Sequence, residues 1–284
     1  MSGNLLTWEE TIRRLKSNPG MADLVKACYY DEPLLAAARR FAASEEWQAT
    51  WTLISKWLPG EVCDLGAGHG ITSYALAQGG CRVTTVEPDP SVSVGARAIK
   101  GLANEAGVAI KVVQAWSEAL PFHNGSFDLV YGRQVLHHAA DLLRLCQEAA
   151  RVLRPGGGFL ATREHVISRR EDLPIFLKDH PLHAFYGGEN AFVLKQYLQA
   201  MHLSGLRLKK VYGPMESVIN YYPMTYAEYR EKLSRVFARV LGQGLAQHVA
   251  SQKLIQALAG RYLSTWDKTP GRLYSFLAIK PKSL

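Results

Sequence analysis

A glycine-rich turn between two apolar runs constrains this chain more than any other feature. The turn covers residues 64–70 and is followed by a helical segment over 71–78 and a second apolar run over 81–86. This order predicts a strand, a loop, a helix and a second strand. The glycines of the turn can take positive φ and have no Cβ, so backbone N–H groups can approach a ligand at the start of the helix. They are Gly66, Gly68 and Gly70.

An acidic residue at the end of the second apolar run indicates what the ligand carries. Glu87, with Pro88 beside it, is placed to accept hydrogen bonds from the two hydroxyls of a ribose. The predicted ligand therefore contains a nucleoside. The spacing Gly-x-Gly-x-Gly behind Asp64 differs from the dinucleotide fingerprint, and Asp64 would repel a pyrophosphate. Its carboxylate suits an amino group, or a polar network that holds the loop around an uncharged linker.

Several further blocks follow the glycine turn over roughly residues 60–163. They are Leu120-Pro121-Phe122, the run from Gly125 to Val130, Leu136-His137-His138, and the run from Glu148 to Gly158. In this order and spacing, the chain resembles the class I S-adenosylmethionine-dependent methyltransferases. Within that family it is most similar to the small-molecule group called methyltransferase type 11.

The resemblance implies an α/β fold and S-adenosyl-L-methionine as cofactor, with S-adenosyl-L-homocysteine as product. The expected fold is Rossmann-like, with a mostly parallel seven-stranded sheet, an antiparallel last strand at the sheet edge, an N-terminal helical cap and helical lid insertions. The expected segments are a cap over 1–58, a cofactor-binding core over 59–167, a substrate loop and helix over 168–204, a core strand over 205–212, a helical lid over 213–270 and a final core strand over 271–284.

The remaining predicted cofactor contacts follow the carboxyl ends of strands, where open α/β sheets bind their ligands. Trp116 and Ser117 follow the third strand, and Arg133 and Gln134 follow the fourth. The family often has an acid near the adenine amino group where this chain has Trp116. Either Trp116 packs on the adenine face or adenine recognition is looser. By resemblance, the N-terminal helices cover the pocket. Tyr29, Tyr30, Arg39 and Arg40 are then placed to close over the methionine end of the cofactor, with an arginine pairing with its carboxylate; the alternative is helix packing with exposed arginines.

Three histidines at strand ends are the candidates for catalysis. Methyl transfer to oxygen or nitrogen needs a positioned acceptor and usually the removal of a proton, to which histidine is suited near neutral pH. The hypothesis is that His138 or His165 is the general base, with His137 as a third candidate. Glu164 or Tyr222 would orient the base or the acceptor. Each histidine can also be explained as a structural residue that hydrogen-bonds the backbone.

Contacts with the methyl acceptor are expected in and near the two insertions, where the regular alternation of strand and helix lapses. The predicted substrate-binding residues are Glu164, His183, Tyr186, Tyr221 and Tyr222. No metal site is predicted, because the available candidates show no helical i, i+4 or paired ligand spacing. Those candidates are His165, His180, His183 and Asp179.

Composition is that of an ordinary soluble globular protein, with 48% hydrophobic and 20% charged residues. The four cysteines form no CxxC pair, and no apolar stretch approaches the ~18 residues of a membrane span. These features predict a cytoplasmic protein without a membrane span. The net charge of +8 arises after residue 204, where 13 Lys and Arg face 4 Asp and Glu. This excess either attracts an acidic partner or forms a solvated helix face.

The sequence therefore predicts a methyltransferase that moves a methyl group to an O or N atom of a polar small molecule, with sugar-containing compounds first among acceptors. Two alternatives stay open. One is a methyltransferase acting on RNA or protein, which the basic C-terminal part favours, although no nucleic-acid motif is present. The other is an S-adenosylmethionine-binding module without transferase activity. A homodimer is also considered, because lid helices with aromatic faces often pair.

Overall fold

An eight-stranded sheet lies at the centre of the computed structural model, which describes residues 5–282. The first four residues of the predicted cap and the last two of the predicted final segment lie outside the described residues. The strands are β1 Glu61–Leu65, β2 Arg82–Val86, β3 Ile110–Val113, β4 Phe127–Arg133, β5 Leu153–Ile167, β6 Phe192–Val193, β7 Arg207–Tyr212 and β8 Arg272–Ile279. Their order is β3-β2-β1-β4-β5-β8-β7, with β6 paired to β5.

The predicted α/β fold with a mostly parallel sheet is confirmed. Strands β1 to β5 pair in parallel, and β8 is antiparallel to both β5 and β7. The expected position of the last strand at the sheet edge is wrong, because β8 lies between β5 and β7. Strand β7 forms the edge, and its exposed Lys209 and Lys210 suit a strand with one unpaired side. The two-residue β6 is too short to leave a periodic pattern in the sequence.

Helices cover both faces of the sheet. Within residues 5–282 the α-helices are α1 Trp8–Lys16, α2 Ala22–Ala27, α3 Leu34–Ala42, α4 Glu45–Ile54, α5 Ile71–Gln78, α6 Ala96–Ala106, α7 Leu142–Val152, α8 Leu173–Asp179, α9 His183–Tyr186, α10 Leu194–Leu203, α11 Val218–Tyr221, α12 Tyr226–Leu241, α13 Gln243–Ser251 and α14 Lys253–Trp266. None of the described helices is long and apolar enough to cross a membrane.

Two apolar layers sandwich the sheet because successive side chains of a strand point to opposite faces. On β4, Leu129 and Tyr131 pack with α3, α4 and α5, whereas Val130 packs with α7 and α10. On β5, Leu160 belongs to the first layer and Phe159 to the second. The strands are therefore buried on both sides, and their carboxyl ends are left to line a site.

Two helices outside the cofactor-binding core begin at capping boxes. Thr7 and Glu10 form one at the start of α1, and Thr225 and Glu228 form another at the start of α12. In each box the threonine side chain accepts from a backbone N–H while the glutamate accepts from the threonine N–H. Both boxes have the Thr-x-x-Glu spacing that is typical of a helix start.

Two glycines in helix interiors test how tightly α14 packs. A Cβ built on Gly260 of α14 would lie 2.3 Å from the backbone oxygen of Met215, whereas one built on Gly101 of α6 meets nothing within 4 Å. Gly260→Ala should therefore lower the free energy of unfolding by about 1–3 kcal/mol. Gly101→Ala, the matched control, should raise it by about 0.5–1 kcal/mol through helix propensity. Urea unfolding of both variants measures the difference, and equal effects would contradict the packing of α14 on the 213–216 loop.

Candidate functional site

A cavity of about 420 Å³ opens at the carboxyl ends of the parallel strands. This volume lies within the range of small-molecule sites. Strand ends supply one wall, and the N-terminal helices together with the 180–189 segment supply the others. The lining residues from these covering segments are Trp8, Leu24, Cys28, Tyr30, His180, Pro181, Leu182, Tyr186 and Glu189. The site is therefore formed by the core and by two separate covering segments.

The glycine turn after β1 has the conformation that the sequence predicts. Gly66 and Gly68 line the cavity with φ of 52° and 57°. A Cβ on Gly66 would lie 2.8 Å from Cγ2 of Val135, and one on Gly68 would find only the oxygen of Val94, at 4.0 Å. Gly70 does not line the cavity; it is the N-cap of α5, with φ of 89°. The bare backbone at Gly68 leaves the open surface that a nucleoside ligand needs.

Asp64 holds the turn from below. It is fully buried and is not part of the cavity wall. Its Oδ2 accepts hydrogen bonds of 2.6 Å from the hydroxyls of Thr72 and Ser73 on α5, while its Oδ1 has no partner. Burial raises the pKa of the Asp64 carboxyl to about 6. Of the two roles predicted for Asp64, this position supports the polar network that fixes the loop.

Glu87 and Pro88 line the cavity at the end of β2, as predicted. The Glu87 carboxylate accepts from the N–H of Gly68 at 2.8 Å and from the N–H of Asp89 at 2.9 Å. Each carboxylate oxygen keeps a further lone pair, so the group can still accept from two hydroxyls. Burial raises the pKa of Glu87 to about 7. A ribose bound here would place its hydroxyls where the glycine turn and β2 meet.

The segment after β3 offers a flat apolar surface to the same cavity. Trp116 lines the cavity with 70% of its surface exposed, and Ser117 beside it is buried. An exposed tryptophan on a cavity wall provides a face on which a purine can stack. These residues fit the adenine end of the cofactor, and the glycine turn with Glu87 fits its ribose.

Arg133 and Gln134 both line the cavity at the end of β4, but the guanidinium of Arg133 is already paired. It donates to Glu46 of α4 from Nε at 2.7 Å and from Nη2 at 3.1 Å. Gln134 has φ of 58°, a left-handed conformation that is costly for a residue with a Cβ. The buried ion pair ties the N-terminal helices to the end of β4 and limits Arg133 as a contact for a carboxylate.

Tyr29 lies behind the cavity wall. Its ring is fully buried against Phe41 and stacks on Tyr222 at 6.1 Å between ring centroids. Its backbone oxygen pairs with Nε2 of His69 at 3.0 Å, and His69 and Tyr30 line the cavity instead. Of the two tyrosines predicted in this segment, the structure therefore places Tyr30, and not Tyr29, in the cavity wall.

Three histidine rings meet at the other end of the cavity, and these are the three predicted candidates. His137 is buried, His165 is half-buried, and His138 is exposed at the rim. The ring centroid of His137 lies 4.1 Å from that of His138 and 4.7 Å from that of His165. Burial lowers the pKa of His165 to about 3 and holds that of His137 well below its ordinary value. Burial thus favours the neutral form of both imidazoles.

Two glutamates flank the histidines. Glu164 is fully buried behind the cavity, where its Oε2 lies 2.7 Å from Nδ1 of His137. Glu189 lines the cavity, and its Oε2 lies 3.8 Å from Nε2 of His137. Burial opposes the ionisation of Glu189, but the neighbouring histidines outweigh it and lower the pKa. Glu164 was predicted to orient the base or the acceptor, and its position fits the orienting role, on His137.

The other predicted substrate-binding residues divide between the cavity and the outer helices. Tyr186 lines the cavity and donates a short hydrogen bond to Glu189. His183 lies outside the cavity wall, as do Tyr221 and Tyr222. Tyr221 stacks on Tyr229 of α12 at 5.0 Å. Among the described residues, none from 213–270 lines the cavity. Of the two insertions, only 168–204 therefore has a position that fits a covering role.

Sequence reasoning missed several residues that line the cavity. His69 was inside the quoted glycine turn, so its position carried a signal that was not used. Glu189 lies in an irregular stretch with no periodicity, and its approach to the strand ends depends on long-range packing.

Comparisons with known proteins agree with this geometry. Residues 63–161 match a family model described as methyltransferase domain. Ubiquinone biosynthesis O-methyltransferase of Methylobacterium sp. (strain 4-46) is 37% identical over 98 residues, which are 34% of this chain and 38% of that protein. Sarcosine/dimethylglycine N-methyltransferase of Halorhodospira halochloris is 29% identical over 182 residues, which are 63% of this chain and 57% of that protein. The chain thus spans less than two thirds of the length of either relative.

A solved structure extends the similarity of fold to almost the whole chain. A putative sarcosine dimethylglycine methyltransferase from Galdieria sulphuraria superimposes with a TM-score of 0.58 at 21% identity, over 97% of this chain and 100% of that one. At that identity the likeness concerns the fold, while the match over 63–161 concerns the family. Residues 63–161 thus carry a methyltransferase domain of the class I S-adenosylmethionine-dependent type, with S-adenosylmethionine as its cofactor.

Proposed function

We propose that this protein transfers the methyl group of S-adenosylmethionine to an O or N atom of a polar small molecule held at the histidine cluster. The observation that carries the proposal is the continuity of one cavity, which runs from Trp116 and Glu87 to His137, His138 and His165. A nucleoside end and a polar end in a single cavity suit a cofactor and an acceptor bound side by side. The names of the relatives, an O-methyltransferase and an N-methyltransferase, support the same two classes of acceptor atom.

Bound S-adenosylmethionine supplies a methyl group already activated on sulfur, so the protein must position a nucleophile in line with it and exclude water. The covering segments help to exclude water. Trp8 of α1 packs on Tyr186 at 4.6 Å between ring centroids, and the N–H of Leu6 donates to the oxygen of Phe185 at 2.8 Å. A cavity covered by these contacts favours a small acceptor over RNA or protein. The histidines and Glu189 at one end of a mainly apolar wall favour hydroxyl- or amine-bearing acceptors, sugars included.

His138 is the proposed general base. Nδ1 of His138 lies 3.0 Å from the oxygen of Gly188 and therefore carries the proton, which leaves the Nε2 lone pair free to accept another. The buried His137 and the half-buried His165 are poorer proton acceptors, because their surroundings oppose the charged imidazolium. The carboxylate of Glu189 lies close to the His137–His138 pair and would stabilise a proton taken up by His138.

We place the reaction in a reducing compartment such as the cytosol. All four cysteines are free thiols, and Cys63, Cys81 and Cys146 are buried. Such thiols are typical of proteins that do not depend on disulfides. The homodimer considered above is a separate proposal, which light scattering can test.

The cofactor site predicts a loss of binding in Glu87→Ala. Calorimetric titration with S-adenosylmethionine and with S-adenosylhomocysteine should give at least fivefold weaker binding than wild type, about 1 kcal/mol or more. Glu105→Ala, a substitution of an exposed glutamate on α6, is the matched control and should bind as wild type does. Equal affinities in all three proteins would show that Glu87 does not hold the ribose.

The pKa of Glu87 also predicts a pH dependence. Because burial raises the pKa to about 7 in the unliganded protein, the carboxylate becomes protonated as the pH falls through 7. A protonated carboxyl is a poorer acceptor for two hydroxyls, so affinity for S-adenosylmethionine should fall below pH 7 by up to about tenfold per unit. Glu87→Gln, which cannot ionise, should bind more weakly at pH 8 and lose this dependence. A wild-type affinity that is flat from pH 8 to pH 5 would contradict the assignment.

The proposed base predicts a loss of turnover without a loss of cofactor binding. With an acceptor found from a panel of sugars, phenols and amines, His138→Ala should release S-adenosylhomocysteine about 10²- to 10⁴-fold more slowly than wild type. His123→Ala, at an exposed histidine of the loop before β4, is the control and should keep full turnover. A fall of less than tenfold in His138→Ala, with S-adenosylmethionine binding intact, would remove His138 from the reaction.

A further inference from the structure

Two histidines and one glutamate at the polar end of the cavity converge on a common point. One ring nitrogen each of His137 and His165 and one carboxylate oxygen of Glu189 lie within 4.8 Å of one another. The three residues come from three different parts of the chain: the turn after β4, strand β5 and the loop before β6. Ligand spacing along the sequence therefore gives no sign of this arrangement.

The rings of both histidines are held in place by hydrogen bonds at Nδ1. Nδ1 of His137 lies 2.7 Å from Oε2 of the buried Glu164, and Nδ1 of His165 lies 2.7 Å from the backbone oxygen of Gly271. Both partners are acceptors, so both Nδ1 atoms carry the proton and both Nε2 atoms present a lone pair. Within residues 5–282, neither Nε2 makes a hydrogen bond to the protein. A carboxylate or carbonyl behind Nδ1 is the usual support of a histidine that binds a metal through Nε2.

Glu189 is held in the same manner. Its Oε1 accepts the hydroxyl hydrogen of Tyr186, which leaves Oε2 facing Nε2 of His137 at 3.8 Å. The nearby His180 is oriented differently: its Nδ1 accepts from the N–H of Leu182 at 3.4 Å, so its Nε2 carries the proton. In contrast to His180, both histidines of the group of three therefore present an Nε2 lone pair, and Glu189 presents Oε2 on the side of His137.

We propose that His137, His165 and Glu189 form a binding site for one divalent first-row transition metal ion. Two neutral imidazoles and one carboxylate are a ligand set that such ions bind, and three protein ligands leave at least one coordination position open. Ligand atoms around a tetrahedral zinc ion lie about 3.3 Å apart, so binding requires the groups to move inward by roughly 1 Å or less. The bound ion would face the cavity, because all three residues line it.

The role of the ion rests on the proposed function, although its binding does not. An acceptor hydroxyl or amine could occupy the open position, where the ion would orient it toward the methyl group and favour loss of its proton to His138. This deepens the account of the acceptor, since it selects compounds with a ligating oxygen or nitrogen at the methylation site. His138 is not one of the three ligands and stays available as the base.

The test is metal binding by the full-length protein, without any acceptor. After removal of bound metals with a chelator, the wild type is titrated with Zn²⁺ by calorimetry, and the retained zinc is counted by elemental analysis. We expect one ion per chain, and we expect His165→Gln and Glu189→Gln each to bind at least tenfold more weakly. Glu164→Gln removes only the support of His137 and should weaken binding about 10- to 100-fold. His123→Gln, which removes an exposed histidine elsewhere, should bind as wild type does.

Each variant is also titrated with S-adenosylmethionine, and retained cofactor binding shows that it is folded. Replacement of Zn²⁺ by Co²⁺ adds a second readout, because the visible absorption of the ion reports histidine and carboxylate ligation. No zinc bound by the wild type, or zinc binding unchanged in the folded His165→Gln and Glu189→Gln variants, would overturn the proposal. Absence of methyl transfer alongside metal binding that the variants abolish would count against the proposed function and leave the metal site standing.

Discussion

A single buried carboxylate joins the sheet to the polar end of the site. Glu164 of β5 has no exposed surface, and its oxygens accept the backbone N–H groups of Val135 and His137, each at 3.1 Å, as well as Nδ1 of His137. Burying a carboxylate costs several kcal/mol unless its lone pairs are used, and here they are used to shape the turn after β4. The position of the histidines is therefore set by the sheet itself. Loss of this carboxylate would free both the turn and the ring.

Two residues next to the contact between Glu164 and the turn after β4 have strained backbone conformations. Gln134 and Arg163, which precede the turn and Glu164 respectively, have φ of 58° and 60°. Such conformations cost on the order of 1–3 kcal/mol each and persist only where surrounding contacts impose them. The N–H of Gln134 donates to the oxygen of Thr162 at 2.9 Å, and the N–H of Arg163 donates to the hydroxyl of Ser275 at 3.2 Å. Neighbouring strands thus hold the two residues in place. Of the side chains that follow them, Val135 lies in the cavity wall and Glu164 lies behind it.

The cofactor half of the site could be predicted because its residues follow one another in the sequence. A strand, the turn with Gly66 and Gly68, a helix and Glu87 occupy fewer than thirty consecutive positions, so local patterns suffice to place them. The other end of the cavity was predicted at His137, His138 and His165, which lie at strand ends, and at Tyr186 in the irregular insertion. Glu189, and the true partner of Glu164, depend on how distant segments pack. The placement of β8 inside the sheet failed for the same reason, since strand order is a property of pairing between distant segments.

This difference between the halves also explains how one scaffold can serve many acceptors. The cofactor half lies on β1, β2 and α5, whose contacts are within the core, whereas the acceptor end is closed by α1 and by the 180–189 segment, which touch each other through Trp8 and Tyr186. Covering segments can change without disturbing the glycine turn, because Asp64 and α5 fix that turn from below. Glu189 belongs to the covering segment and His137 to the core. A ligand that contacts both residues would therefore couple closure of the cavity to its own binding. In this protein, specificity for the acceptor is therefore expected to depend on the 180–189 segment more than on the sheet.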